Sequence, residues 1–236
     1  MPVPRERSAE RPTDRPPTVT VDGVSYDQWL IPVRFADDPE TASRHAVEQD
    51  ESDAPAAPEA AALADAITRA HGPIEDASGF LSVFPLEATG DCVFVPSRFP
   101  AVELARATVI PLAFGAGFAV YDPQHGVLLD PRDAVAGTFV YSSDDPFPTI
   151  TPSLIDLCVP AMRVEDFVIA ETGENVYIQT KRVADDEYLL EYRDGSPDRH
   201  FGTTVSTAEQ VAAAVRGWLT GDDSSYRGHH WERIEF

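Results

Sequence analysis

The sequence predicts an α+β fold in two units: a small antiparallel sheet with helices, followed by an antiparallel four-stranded meander packed by one helix. Three observations carry this. Between residues 26 and 129 the apolar patterns run strand, helices, strand, strand, helix, strand. Between 167 and 205 four alternating runs are separated by short turn sequences. An amphipathic run with a helix-start signature comes directly after them.

Tyr26-Asp27-Gln28-Trp29-Leu30-Ile31-Pro32-Val33 reads as the first strand, with Pro32 fitting an edge position or a strand end. An acidic stretch over 36–57 carries a helix near Pro39–Glu48. Pro58–Ala70 reads as a helix with proline in its first turn and Leu63, Ile67 and Ala70 on one face. Phe80–Leu86 and Cys92–Val95 read as strands joined at Ala88-Thr89-Gly90-Asp91. A helix starting at Pro100 turns Leu104, Ala105, Thr108 and Leu112 inward, with a kink expected at Pro111. Phe118–Tyr121 is a strand ending in the turn Asp122-Pro123-Gln124-His125-Gly126, and Val127–Leu129 can pair back. That order suits a ferredoxin-like split βαβ domain, an antiparallel sheet covered on one face by helices.

In the second unit, strands are expected at 167–170, 177–183, 188–193 and 200–205. Ser206 and Glu209 read as a capping box, Val211, Ala214, Val215 and Trp218 as the apolar stripe, and Gly221 as the stop. The boundaries are a disordered tail over 1–18, the ferredoxin-like domain over 19–130, a proline-rich linker over 131–160, and the sheet-plus-helix domain over 161–236, which is expected to fold alone.

Forty acidic residues stand against 18 basic ones, for a formal net charge of −22. This argues against nucleic acid and anionic membrane surfaces and in favour of a basic protein partner. The charge is uneven: 19–159 nets −16, and 160–236 nets −7. No apolar run is long enough for a membrane span, and the N-terminus lacks the apolar core of a secretory signal, so a soluble cytoplasmic protein is expected. Cys92 and Cys158 lie in apolar runs with no metal-ligand spacing around them and read as buried hydrophobes.

Phosphate loops, nucleophile elbows, zinc-protease motifs and calcium loops are absent, so no catalytic residue, cofactor or metal is assigned. Two clusters are candidates for binding. Tyr121, Asp122, Gln124 and His125 gather a phenol, a carboxylate, an amide and an imidazole at a strand end, although Asp-Pro there is also ordinary turn chemistry. Arg193, Asp194, Arg199 and His200 flank a hairpin turn, where they form either a recognition edge or surface pairs worth little. Asp37, Asp38, Glu40, Glu48 and Glu51 form a candidate acidic interface. His229 and His230, being adjacent, point to opposite faces of any strand and do not make a metal pair.

The passage from Tyr26-Asp27 through Phe118-Ala119-Val120-Tyr121-Asp122-Pro123-Gln124 resembles a small α/β domain of uncharacterised actinobacterial proteins. The passage with Glu191-Tyr192-Arg193-Asp194-Gly195-Ser196 and Arg199-His200-Phe201, followed by Gly217-Trp218 and Trp231-Glu232-Arg233, resembles a second module of the same kind. The resemblance implies an accessory protein of the style found beside polymorphic toxins and brings no assigned activity. The expectation is therefore a non-enzymatic protein-binding module, an immunity-type inhibitor of a basic toxin. The alternative is a small cytoplasmic enzyme or ligand-binding regulator with a site near Tyr121–His125. The sequence does not set the oligomeric state.

Overall fold

A computed structural model describes residues 25–52, 54–72 and 79–235. The tail expected over 1–18 lies outside them. The fold is mixed α+β, with two antiparallel sheets and six α-helices among the described residues.

The first sheet is built from β1 (Tyr26–Pro32), β2 (Ala88–Thr89), β3 (Cys92–Ser97), β4 (Phe118–Asp122) and β5 (Val127–Leu129), in the order β2-β3-β1-β4-β5. α1 (Pro39–Asp50) and α2 (Pro58–His71) follow β1, and α3 (Val102–Gly115) joins β3 to β4. β1 is the central strand and is buried on both sides, so the helices do not cover only one face. Leu30, Val93, Val95 and Val120 pack towards α2 and α3, while Ile31, Cys92 and Ala119 pack under Ala42 and Ala46 of α1. Three local expectations change. Phe80–Leu86 is not a strand: only Leu81 bridges to Ser97. α3 continues through Pro111, which lies on its exposed side. Its buried stripe is Val102, Ala105, Arg106, Val109, Ile110 and Ala113, and Leu104, expected to face inward, is 46% exposed.

Residues 131–160 are not a linker. They form β6 (Val135–Tyr141), β7 (Phe147–Ile150) and α4 (Pro152–Ala161). β6 pairs with β8 (Phe167–Gly173), placing Phe139 opposite Ala170. The second sheet continues through β9 (Val176–Ala184), β10 (Glu187–Asp194), β11 (His200–Val205) and β12 (Glu232–Arg233), and has seven strands in the order β12-β11-β10-β9-β8-β6-β7. α5 (Ala208–Thr220) and the short α6 (Asp223–Tyr226) lie between β11 and β12. Phe139, Val168, Ala170, Ile178 and Leu190 belong to the buried face, which packs with Val211, Ala214 and Val215 of α5.

One apolar core runs through both sheets, from Leu30, Val93 and Val120 to Ile178, Leu190 and Val211. α3 packs on β7, and α4 packs on both β5 and α5. At the C-terminal end, Trp231 sets its ring edge-on to Tyr192 at 4.8 Å and donates Nε1–H to the Tyr226 carbonyl at 2.8 Å.

The capping box of α5 sits one residue later than the sequence suggests. Thr207 is the N-cap, its Oγ1 accepting from Gln210 N at 3.2 Å, while Gln210 Oε1 accepts from the backbone N–H of Thr207 at 3.2 Å and of Ser206 at 3.0 Å. Gly221 closes the helix in the left-handed region, with φ 70°. Replacing Thr207 with alanine is therefore expected to cost about 0.5–2 kcal/mol in a denaturant melt. Ser206→Ala should fall within error of the parent. The reverse ranking would put the helix start back at Ser206.

Candidate functional site

The strand-end cluster closes on itself rather than opening to a ligand. Asp122 is fully buried at the end of β4. Its Oδ1 accepts the backbone N–H groups of Gln124 (3.0 Å) and His125 (3.1 Å). Its Oδ2 accepts the Tyr26 hydroxyl at 2.6 Å and meets His125 Nδ1 at 2.9 Å. Gln124 Oε1 accepts the Asp27 N–H at 3.2 Å, which fastens the turn to β1. Tyr121, whose side chain alternates to the other face, stays half-buried against Ile31 and Leu128.

Arg106 completes this hub, and the sequence reading missed it. It is 2% exposed on α3. Its Nε donates to the Tyr26 hydroxyl at 3.0 Å, one terminal nitrogen donates to the Asp145 carbonyl, and the other lies 3.8 Å from Asp122 Oδ2. The guanidinium also stands 3.7 Å over the Phe147 ring. Burial pushes the Tyr26 phenol well above its ordinary pKa and the Asp122 charge adds to this, so Tyr26 remains an O–H donor. Burial alone would raise the Asp122 carboxyl, but the His125 hydrogen bond and charge, with the Tyr26 hydroxyl, outweigh it and hold the group below its usual range. Chemically this is a hydrogen-bonded knot around the buried Arg106–Asp122 pair. One signal in the sequence could have revealed it: an arginine inside the 102, 105, 106, 109, 110, 113 stripe of an otherwise apolar helix face. Beside the knot, the side-chain amide of Gln28 and Ser97 Oγ are buried without a hydrogen-bond partner.

The acidic candidates lie at the two ends of α1, Asp37, Asp38 and Glu40 at its start and Glu48 and Glu51 at its end. Asp37, Asp38, Glu40, Glu48 and Glu51 are all exposed, on α1 or immediately beside it, and Asp50 joins them. Asp38 also N-caps the helix, its carboxylate accepting from Thr41 N at 2.8 Å and from the Thr41 hydroxyl at 2.9 Å, and these bonds lower its pKa. Val47, 39% exposed, sits among them. Of the nearby guanidinium groups, Arg34 pairs with Asp91 at 3.0 Å and Arg132 with Asp130 at 2.5 Å and Asp37 at 3.9 Å, whereas Arg44 is an exposed cation on α1 itself, between Glu40 and Glu48, bonded to the Thr41 hydroxyl.

The hairpin cluster divides. Asp194 and Arg199 form an exposed ion pair at 3.0 Å, the surface-pair reading of that turn. His200 does not join them: it is buried, with Nε2 3.2 Å from Glu191 Oε2. Arg193 is half-buried on β10, opposite His200 and Tyr177. Gln179 Nε2 donates to the same Glu191 oxygen at 2.8 Å.

The residues best placed to hold a metal are His45, Asp91 and Cys92, whose donor atoms lie within 4.8 Å of one another. Their present bonding is internal: Asp91 Oδ1 meets His45 Nε2 at 2.8 Å and the Cys92 thiol at 3.5 Å. Burial, reinforced by the Asp91 charge, pushes the Cys92 thiol far above its ordinary pKa, so without a metal it stays protonated. Burial likewise pushes Cys158 up to about 12. No helix among the described residues is long and apolar enough to cross a membrane. No protein-family model, no curated protein and no solved structure matches the chain.

Proposed function

We propose that the chain is a non-enzymatic binding protein of the cytoplasm that docks a basic protein partner on the acidic face of α1, as an immunity-type inhibitor of a basic toxin does. One observation carries the reading: six exposed carboxylates lie on and around a single helix against one exposed cation on it, Arg44, while Arg34 and Arg132 beside it are already paired. Clustered like charge raises the energy of the folded chain and is relieved when an opposite surface docks. Exposed Val47 among the acids offers the apolar contact that a charged rim surrounds in protein interfaces. The order β2-β3-β1-β4, with helices after β1 and β3, supports a ferredoxin-like reading of the first unit, extended by β5. The run β8 to β11 supports a meander in the second. An actinobacterial origin for both modules belongs to the same proposal.

The test is a five-fold variant, Asp37→Asn, Asp38→Asn, Glu40→Gln, Glu48→Gln and Glu51→Gln. Asparagine at 38 keeps the helix capped. A basic partner recovered from native lysate should associate with the variant about 10–100-fold more slowly at low salt, with a flatter salt dependence. The free variant should be more stable than the parent at low ionic strength. Parental association rates, or recovery of no basic protein, would remove the reading.

A further inference from the structure

The second sheet has an outer face that no helix among the described residues covers, and its rows follow from strand register. Ile169, Gln179, Glu191, Gly202 and Glu232 lie side by side across β8, β9, β10, β11 and β12. Phe167, Lys181, Leu189 and Thr204 form the neighbouring row. Paired residues in a sheet project to the same side, so Glu191 and Glu232 rise on either flank of Gly202, two strand spacings or about 10 Å apart. Gly202 contributes no side chain there, and Ile234 packs over it, its Cδ1 3.0 Å from where a Cβ would stand, so the floor between the two carboxylates is apolar. The space between them opens into a groove of about 490 Å³ lined by Leu189, Glu191, Thr204, Glu232 and Ile234. A second groove of about 420 Å³ continues from Leu189 and Glu191 past Gln179 to Phe167 and Ile169.

We propose that this face takes a basic side chain of a partner protein, lysine or arginine, with its charged head between Glu191 and Glu232 and its stem along the apolar wall. Glu191 is already oriented for the task. Gln179 and His200 both bond to its Oε2, which fixes the carboxylate and leaves Oε1 for a ligand. Two cations of the face are engaged, Lys181 with Glu165 at 2.7 Å and Arg233 with Asp198, and a third, Arg193, is half-buried in the neighbouring row beside His200 and Tyr177. His230 stands 3.9 Å from Glu232 and is almost fully exposed, so it leaves the Glu232 carboxylate open to a closer partner. Glu171, Glu191 and Glu232 outnumber Arg193, so the uncompensated charge of the face is negative. Leu189, 39% exposed, with Phe167, Ile169 and Ile234, supplies the apolar surface on which a long basic side chain lays its methylenes. The surface belongs to the other sheet from α1, and the inference stands whether or not the α1 reading does.

The probe is acetyl-Leu-Arg-Leu-amide, with acetyl-Leu-Gln-Leu-amide as the neutral control, each titrated into the ¹⁵N-labelled full chain. Saturable shifts are expected at the amides of Leu189, Glu191, Gly202, Glu232 and Ile234. Binding should weaken at least about tenfold for the glutamine peptide and for the Glu191→Gln and Glu232→Gln variants, since each loses a charge-assisted hydrogen bond. Glu232 is exposed on a two-residue edge strand, so its variant tests the site even where Glu191→Gln disturbs the sheet. Three results overturn the proposal: no saturable shift on that row, equal shifts from the two peptides, or shifts confined to α1.

Discussion

Replacing Arg106 with methionine will cost the chain about 3–5 kcal/mol, the range for stripping a buried charge of its partner. Arg106 is the cation that faces Asp122 inside the core, and it also supplies the donors for the Tyr26 oxygen and the Asp145 carbonyl. Methionine fills most of the volume, so the loss reports on charge and hydrogen bonding rather than on a cavity. Asp122→Asn should be comparably severe, because it removes the acceptor that ties Tyr26 and the His125 ring to the end of β4. The double variant should cost less than the sum of the singles, since no unpaired charge is left behind. Urea melts of the four proteins measure this directly, and strict additivity would mean that the two residues act separately. Acid should erode the same knot. Asp122 is held below its usual range, so its contribution is present above about pH 4 and is lost as the pH falls through its folded-state value.

A fragment of residues 161–236 will not fold. Its four strands and α5 were expected from the sequence to form a complete layer pair, but the fragment lacks the parts that finish the sheet and cover its helix. β6 is missing from the edge of β8, and with it Phe139 from the core. α4 is missing from the side of α5. Truncating a buried Phe to Ala alone costs about 3–5 kcal/mol, and whole domains are stable by only about 5–15 kcal/mol. The amide spectrum of the fragment should therefore be collapsed. A dispersed one would show that β6, β7 and α4 are accessory to the second sheet.

Strands β8 to β11 were legible because each alternates cleanly and each turn announces itself. Gly195 and Asn175 adopt positive φ where the sequence offered turn residues. β6, β7 and α4 were hidden by prolines, two of which turn out to sit where proline is tolerated, while Pro160 lies within the last turn of α4. Pro148 is in β7, an edge strand, and Pro152 occupies the first turn of α4 behind its N-cap Thr151. Composition said linker, and position said strand and helix. The capping box slipped by one because Ser206–Glu209 and Thr207–Gln210 both match the pattern, and only backbone geometry chooses between them. In α3 the sets 104/108/112 and 102/106/109 compete as stripes, and the buried one carries an arginine. The acidic face of α1 was visible as charge, whereas the pairing of Glu191 with Gln179 and His200 depends on register between separate strands.

The contact of α4 with both β5 and α5, and of Arg106 with the Asp145 carbonyl, bears on how such a chain can be recombined. Its two halves read as interchangeable cassettes, yet neither has a finished surface at the seam. A donor first half grafted onto this second half would have to bring an apolar β5 for α4 to rest on. It would also need a buried cation at the place of Arg106, aimed at a carbonyl outside its own sheet. Shuffling at the apparent boundary would leave both demands unmet, so productive exchanges should carry 131–160 together with the second half and match the seam residue by residue.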